Sequence, residues 1–352
     1  AAAASAGGGS SSLRGTLPLE LTRSRLFQQS FARLHSCSTA ELRKRWRVEY
    51  VGEEGIDAGG LTKDWFLQMG RALLNPAFCL FARAEGGDER YVINPLSEAA
   101  DPTGQDVSAE AAFRVVGRFL GKALFDVQVV DMPLATLMWK HLLGEAVGFD
   151  DLAELDPVYA NSLRWVLAND ITDVVDECFV VSRAAFGTVV DFELKPGGAA
   201  QEVTEENKGE YVDLVTRWRT ETAFARQLAA LRAGFHELIP AEEVAAARLT
   251  VDELSLMLNG RPDVDVRDMR SGAKLQGGLQ PDDDVVHWFW RAMASYTAEE
   301  RGAVLAFATG TTRVPLDGFQ PPFTLVAATV SAAATDDARR TGDGDGDGDG
   351  DG

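Results

Sequence analysis

Residues 113–125 read FRVVGRFLGKALF, and a stretch of this kind has few places to go in a folded chain. Apolar side chains at 113, 116, 119, 120, 123 and 124 recur at the spacing of a helix face, with few polar interruptions. A helix so apolar has to lie inside a domain. The chain must therefore supply other elements to surround it, and its 352 residues, 45% of them apolar, are enough for two domains with a sizeable core. The glycines tempt a different reading, because Gly117-Arg-Phe-Leu-Gly121-Lys122-Ala123 is similar to a phosphate-binding loop. It has one residue too few between the glycines, and alanine where a magnesium-binding Ser or Thr belongs. A buried helix is the better account.

The surroundings are mostly helical. Leu26, Phe27, Phe31 and Leu34 place a helix between Leu21 and Leu42; a basic cluster (Arg43, Lys44, Arg45, Arg47) then precedes a strand at 48–51. A Gly-punctuated turn at 51–60 leads into a helix that buries Trp65, Phe66 and Met69. A short helix end is expected in 75–81 and a strand in 90–95. Two helices follow, 131–144 ending at Gly144, and 156–169 with Asp156 as N-cap and Pro157 at the first position. Strands at 177–181 and 188–194 precede a long helical region opened by Thr204 and running to about Phe235. Thr250/Glu253 and Thr297/Glu300 are capping boxes, and residues 285–296, VVHWFWRAMASY, are apolar enough for a buried helix. The fold class is α+β. Residues 1–20 are expected to be a disordered linker leading into a domain cut from something longer, and 331–352 a disordered Gly/Asp tail.

Several functions can be set aside. A net charge of −20 disfavours a nucleic-acid partner and fits a partner with a basic face. No apolar run reaches the ~18 residues that suggest a membrane span, and no secretory leader is visible. Cys37, Cys79 and Cys178 are too scattered for a disulfide framework or a zinc ribbon, which favours a reducing compartment. His35, His141, His236 and His287 have no ligand spacing, so neither metal nor cofactor is expected. Residue chemistry alone names no active site.

A series of separated stretches does. It begins with SFARL (30–34), LRKRWRVEYVGEEGIDAGGLTKDWF (42–66), VGRFLGKALFD (116–126) and LDPVYANSLRWVLAND (155–170), and continues with FGTVVDFELKPGG (186–198) and VTEENKGEYVDLVTRWR (203–219). GFHELIP (234–240), LNGRPDVDV (258–266), VVHWFWRAMASY (285–296) and FATGTTRVPLDGF (307–319) complete it. In content and order this resembles the HECT domain of ubiquitin-protein ligases, over residues 21–326. The resemblance implies a bilobed enzyme without cofactor: a large helical N-lobe (21–295) whose small subdomain (150–240) docks a ubiquitin-charged conjugating enzyme, and a C-lobe beginning at 296. Its partners would be that conjugating enzyme, ubiquitin and a protein substrate, in the cytoplasm or, alternatively, the nucleus.

Carried over by position, the docking groove would use Tyr159 and Ser162 on one helix, Tyr211 and Val215 on another, and the edge Asp176, Glu177 and Cys178. The pairs 159/162 and 211/215 each share a helix face, although Tyr211 and Val215 read equally well as core. Ser295, Tyr296 and Thr297 would form the hinge between lobes. A second, non-covalent ubiquitin site beside Asn75-Pro76 would involve Phe78, Leu80 and Phe81, with Ala77 replacing half of its aromatic pair. The family's catalytic cysteine lies in the C-lobe, past the 323–326 strand, and none of the three cysteines matches it. The expectation is a partial C-lobe (296–330), cut short or mis-assembled after about Val330, in a chain that docks its partner without accepting ubiquitin. The competing reading is a dedicated non-catalytic module that binds the conjugating enzyme.

Overall fold

A computed structural model of the chain describes residues 15–53, 59–86, 90–99, 107–185, 188–261, 264–309, 313–314, 318–319 and 322–327. Residues 1–14 of the expected linker and the Gly/Asp tail fall outside these residues, whereas 16–20, expected as disordered linker, are strand. The first element is a strand the helical periodicity did not announce. β1 (Thr16–Leu21) pairs in parallel with β2 (Arg45–Tyr50), from Thr16 opposite Arg45 to Leu21 opposite Tyr50, with α1 (Leu26–Ser36) and α2 (Thr39–Leu42) in the crossover. β2 takes up half the basic cluster. Arg45 and Arg47 face outward while Trp46, Val48 and Tyr50 are buried, the period-two alternation of a one-sided strand. Gly59, at φ 106°, makes the left-handed turn into α3 (Gly60–Leu73), which buries Trp65, Phe66 and Met69 as its pattern requires.

β3 (Phe81–Arg83) and β4 (Tyr91–Ile93) form an antiparallel pair, and α4 (Ala109–Phe125) is the buried helix. α5 (Thr136–Leu143) stops at Gly144, in the left-handed conformation at φ 77°. α6 (Phe149–Leu155) and α7 (Pro157–Ala168) lead to the antiparallel pair β5 (Val180–Ala185) and β6 (Thr188–Glu193). The helical region expected from Thr204 to Phe235 is two helices, α8 (Lys208–Thr220) and α9 (Ala225–His236), separated by a backbone break at Glu221. α10 (Ala241–Ala247) and α11 (Val251–Asn259) follow, and Thr250 and Glu253 close the expected capping box.

α4 and α9 pack backbone to backbone, and the glycines explain how. A Cβ on Gly117 would lie 1.9 Å from the Leu231 carbonyl oxygen, and one on Gly234 would lie 2.0 Å from that of Arg114. What looked like a phosphate loop is thus a helix-packing face. Lys122 beside it is fully buried, its Nζ bonded to the Lys44 carbonyl at 2.8 Å and to Asp126 at 2.6 Å.

The chain divides into two compact units, 1–262 with 305–316, and 263–304 with 317–352. The first unit holds two cores. The larger gathers α1, β1, β2, α3, α4, α5, α9 and α11, and the smaller runs from Leu152 to Trp218. Phe224, Leu228, Leu231 and Phe235 belong to the larger core, so the subdomain expected over 150–240 ends nearer 220.

The second unit contains α12 (Val266–Gly272), β7 (Lys274–Gln276), α13 (Asp284–Ser295), the first part of α14 (Ala298–Thr309) and β8 (Thr324–Val326), with β7 and β8 parallel. Only one face of α13 is buried, through Val286, Trp290 and Met293. Val285 and Trp288 remain 53% and 58% exposed, contrary to the fully buried helix expected. The compact units do not coincide with the lobes expected on either side of 295–297: the second takes up 263–304, and 305–316 belong to the first. Ser295 and Tyr296 finish α13, Thr297 caps α14 through its box with Glu300, and Arg301 bonds the carbonyls of Met293 and Ala294. These bonds tie the first turn of α14 to the end of α13 across Ser295, Tyr296 and Thr297, the residues expected to form the hinge.

Candidate functional site

The smaller core supports the site. Phe179 is its centre, fully buried, edge-on to Tyr211 at 5.6 Å and covered by the Lys195 ammonium 3.7 Å from its ring. Leu152, Leu163, Ile171, Val181, Val212 and Val215 pack around it, joining α6, α7, α8 and the β5–β6 pair into one body.

Tyr211 and Val215 are 6% and 0% exposed, which agrees with the core reading left open for them, and neither lines the open groove on α7. Burial, and after it a hydrogen bond with Tyr159, pushes the Tyr211 hydroxyl pKa up. Tyr159 is half-buried, with the Arg219 guanidinium 3.8 Å from its ring centre. Asp156 fixes the entry to α7: one carboxylate oxygen accepts the Tyr159 N–H at 2.9 Å and the other accepts from Arg219 at 2.7 Å. Burial works to raise the Asp156 pKa, but contacts with Glu85, Tyr159 and Arg219 outweigh it and hold the carboxyl below the usual range.

Ser162 is exposed, as a docking residue must be. With Asn161, Trp165, Val166 and Val175 it lines a shallow groove of about 410 Å3. Trp165, on its lining, is 47% exposed, and the elements that form the groove carry further exposed apolar side chains, Val158 at 76%, Leu167 at 45% and Val174 at 63%. Sequence reasoning missed Trp165, Val158 and Val175. The signal was present, since 158, 162 and 165 share one helix face, but an apolar residue on a helix is read as core by default. Asp170, Asp173, Asp176 and Glu177 are exposed on the segment that contributes Val175 to the groove and make that segment acidic. Cys178 is half-buried and forms an isolated antiparallel bridge with Glu202, and the Glu177 carbonyl accepts from the Val203 N–H, so 176–178 is a paired edge. Such a surface can hold an apolar side chain flanked by basic groups.

The other carried-over residues are dispersed. Leu80 and Phe81 are core, at 0% and 4% exposure, and do not form a surface; Phe78 is half-buried and stacks on Phe27 at 3.9 Å. Cys37 is buried, its thiol pushed up by desolvation, the opposite of what activates a nucleophile. Cys79 is half-buried, and its Sγ–H donates to the Pro76 carbonyl at 3.4 Å. Among the described residues, no cluster of His, Cys, Asp and Glu could hold a metal ion, and no helix is long and apolar enough to cross a membrane.

The family model of the HECT domain, a ubiquitin-transferase, matches residues 67–339. The chain belongs to the HECT family. Its α+β architecture, mainly helical with small two-stranded sheets, is that expected of the family. Among curated proteins this HECT chain is similar to E3 ubiquitin-protein ligase pub1 of Schizosaccharomyces pombe, 35% identical over 308 residues, which are 88% of this chain and 39% of pub1. It is also similar to UPL1 of Arabidopsis thaliana (35% over 315 residues, 88% of this chain and 8% of UPL1) and to Smurf1 of Drosophila melanogaster (36% over 302 residues, 86% and 28%), both E3 ubiquitin-protein ligases. The chain therefore spans less than half the length of these relatives.

Proposed function

We propose that this chain docks a ubiquitin-charged conjugating enzyme through the groove on α7 and the segment 170–178. One observation carries the reading: an exposed apolar groove lined by Trp165, formed in part by an acidic segment, stands on a subdomain with a core of its own. Exposed tryptophan in a concave patch is the kind of residue that dominates association energies. The complementary partner presents an apolar loop side chain between lysines or arginines, which would also steer the encounter with a chain of net charge −20.

In the full proposed reaction a cysteine thiolate attacks the ubiquitin thioester of the conjugating enzyme and releases that enzyme's thiol. A substrate lysine amine then attacks the new thioester and restores the cysteine. For the 352 residues here, the placement of the thiols favours a narrower second reading, docking without acceptance. Cys37, Cys79 and Cys178 all lie in the first unit, and residues 263–352 contain no cysteine.

Two measurements test this. Trp165→Ala removes an exposed ring, so folding should be unaffected while affinity for the charged conjugating enzyme falls at least about tenfold, or ~1.4 kcal/mol; unchanged affinity would remove the groove from consideration. Incubation with charged conjugating enzyme, followed by a non-reducing gel, should show no ubiquitin adduct on this chain. A reducible adduct would overturn the second reading and leave the docking site standing.

A further inference from the structure

The first unit contains a second concavity, distinct from the docking groove. It is a cavity of about 100 Å3 between the β3–β4 pair and the elements α6, β5 and α8. Most of its wall is apolar, built from Val92, Ile93, Leu155, Trp218 and Phe224. Arg183 and Arg219 also line it, facing the carboxylates of Asp156 and Glu85.

The polar accounting does not close. Arg219 gives Nη1 to Asp156 at 2.7 Å and to Glu85 at 3.5 Å, but its Nε is buried and has no hydrogen-bond partner. Arg183 is half-buried on β5, with its guanidinium 5.7 Å from the Trp218 ring centre and with no ion pair or side-chain hydrogen bond among the described residues. Desolvation, with the Arg219 charge adding to it, pushes the Arg183 pKa down. A guanidinium carries five N–H donors, and burying one of them without an acceptor, as at Arg219 Nε, is costly. Glu85, on the wall of the same cavity, offsets the Arg183 charge in part without an ion pair between them among the described residues.

We infer that this cavity is a binding site for a small carboxylate carried on an apolar body, its oxygens taken by the Arg183 guanidinium and the free Nε–H of Arg219. The planar fork of arginine matches the two oxygens of a carboxylate. The apolar walls select a ligand with a hydrocarbon body over a compact, fully hydrated anion such as inorganic phosphate. Glu85 is exposed and lines the same cavity, so its like charge weakens binding. A bound ligand would bridge the β3–β4 pair and the docking subdomain and hold them together.

Calorimetric titration of the whole chain with benzoate, benzyl alcohol and inorganic phosphate tests this, with thermal unfolding followed in parallel. Benzoate should bind with one-to-one stoichiometry and raise the unfolding temperature, while benzyl alcohol and phosphate bind at least about tenfold more weakly. Arg183→Met, which breaks no ion pair, should lose benzoate binding by at least about tenfold, and Glu85→Gln should strengthen it. Equal binding of the alcohol would overturn the role of charge, and equal binding of phosphate would overturn the carboxylate class. Unchanged benzoate affinity in Arg183→Met, weaker affinity in Glu85→Gln, or no benzoate binding at all would overturn the site. The Glu85→Gln arm holds even if Arg183→Met fails to fold.

Discussion

Gly117 and Gly209 are both helical glycines, and their surroundings assign them opposite roles. A Cβ at Gly117 meets the Leu231 carbonyl at 1.9 Å, a backbone atom that can yield only if α9 moves; at Gly209 nothing lies within 4 Å. Gly117→Ala should therefore destabilise the fold by about 3 kcal/mol in urea denaturation, as overpacking against rigid neighbours does. Gly209→Ala should stabilise it by about 0.5 to 1 kcal/mol, by restricting the unfolded chain. His141 makes a second residue-scale case. It is buried, with Nε2 2.8 Å from the Thr220 carbonyl, and desolvation holds its pKa below the ordinary 6.5. The folded state thus prefers the neutral ring, so its contribution is present above the unfolded value and is lost as pH falls through 6.5 toward the folded value. Denaturation midpoints measured from about pH 7.5 to 5.5 should show a loss with a slope of at most ~1.4 kcal/mol per pH unit, and His141→Gln should flatten it.

Besides helices closed by their own caps, this chain has one closed by a side chain from a distant element. The C-terminal turn of α1 leaves carbonyls unpaired, as every helix end does. Arg118, from the middle of α4, donates Nη1 to the carbonyls of Leu34, His35 and Cys37 at 2.7, 2.9 and 3.0 Å, and Nη2 to Glu237 at 2.6 Å. Burial works to raise the Glu237 pKa, but hydrogen bonds and charge from Arg118 and Arg114 outweigh it and keep the carboxylate ionised. Arg118→Met removes the charge and leaves both the carbonyls and Glu237 without it, so a loss of about 3 to 5 kcal/mol is expected. Hydrogen exchange should show that loss first in the last turn of α1; protection there equal to wild type would mean that the carbonyls have found other donors.

The two cores of the first unit allow whole-molecule behaviour that one core would not. Phe179→Ala empties the centre of the smaller core and should cost about 3 to 5 kcal/mol. The loss should be confined: amides of α6, α7 and α8 exchange faster, while those of α4 and α9, held by the larger core, keep their protection. A uniform loss across the unit would show that the two cores unfold as one. The same separation suits docking, because the groove on α7 rests on a body whose packing is its own.

Local order was written in the sequence. The buried α4, the Asp156 cap with Pro157 after it, the Thr250 and Thr297 boxes and the Gly144 stop depend on neighbours within a few residues, and each was legible there. Family order along the chain was legible for the same reason, since motifs are local strings. Tertiary packing decided the rest. Tyr211 and Val215 share a face, but only the position of Phe179 makes that face an interior one, and only the lack of a cover leaves Trp165 in water. The division into compact units at 262/263 follows from which parts of the chain pack together, not from any break in pattern. Arg183 was unremarkable as one basic residue on a strand. It becomes a candidate ligand contact only because folding places it in a largely apolar cavity beside Arg219, whose Nε is buried without a hydrogen-bond partner, and that depends on surroundings the local sequence does not specify.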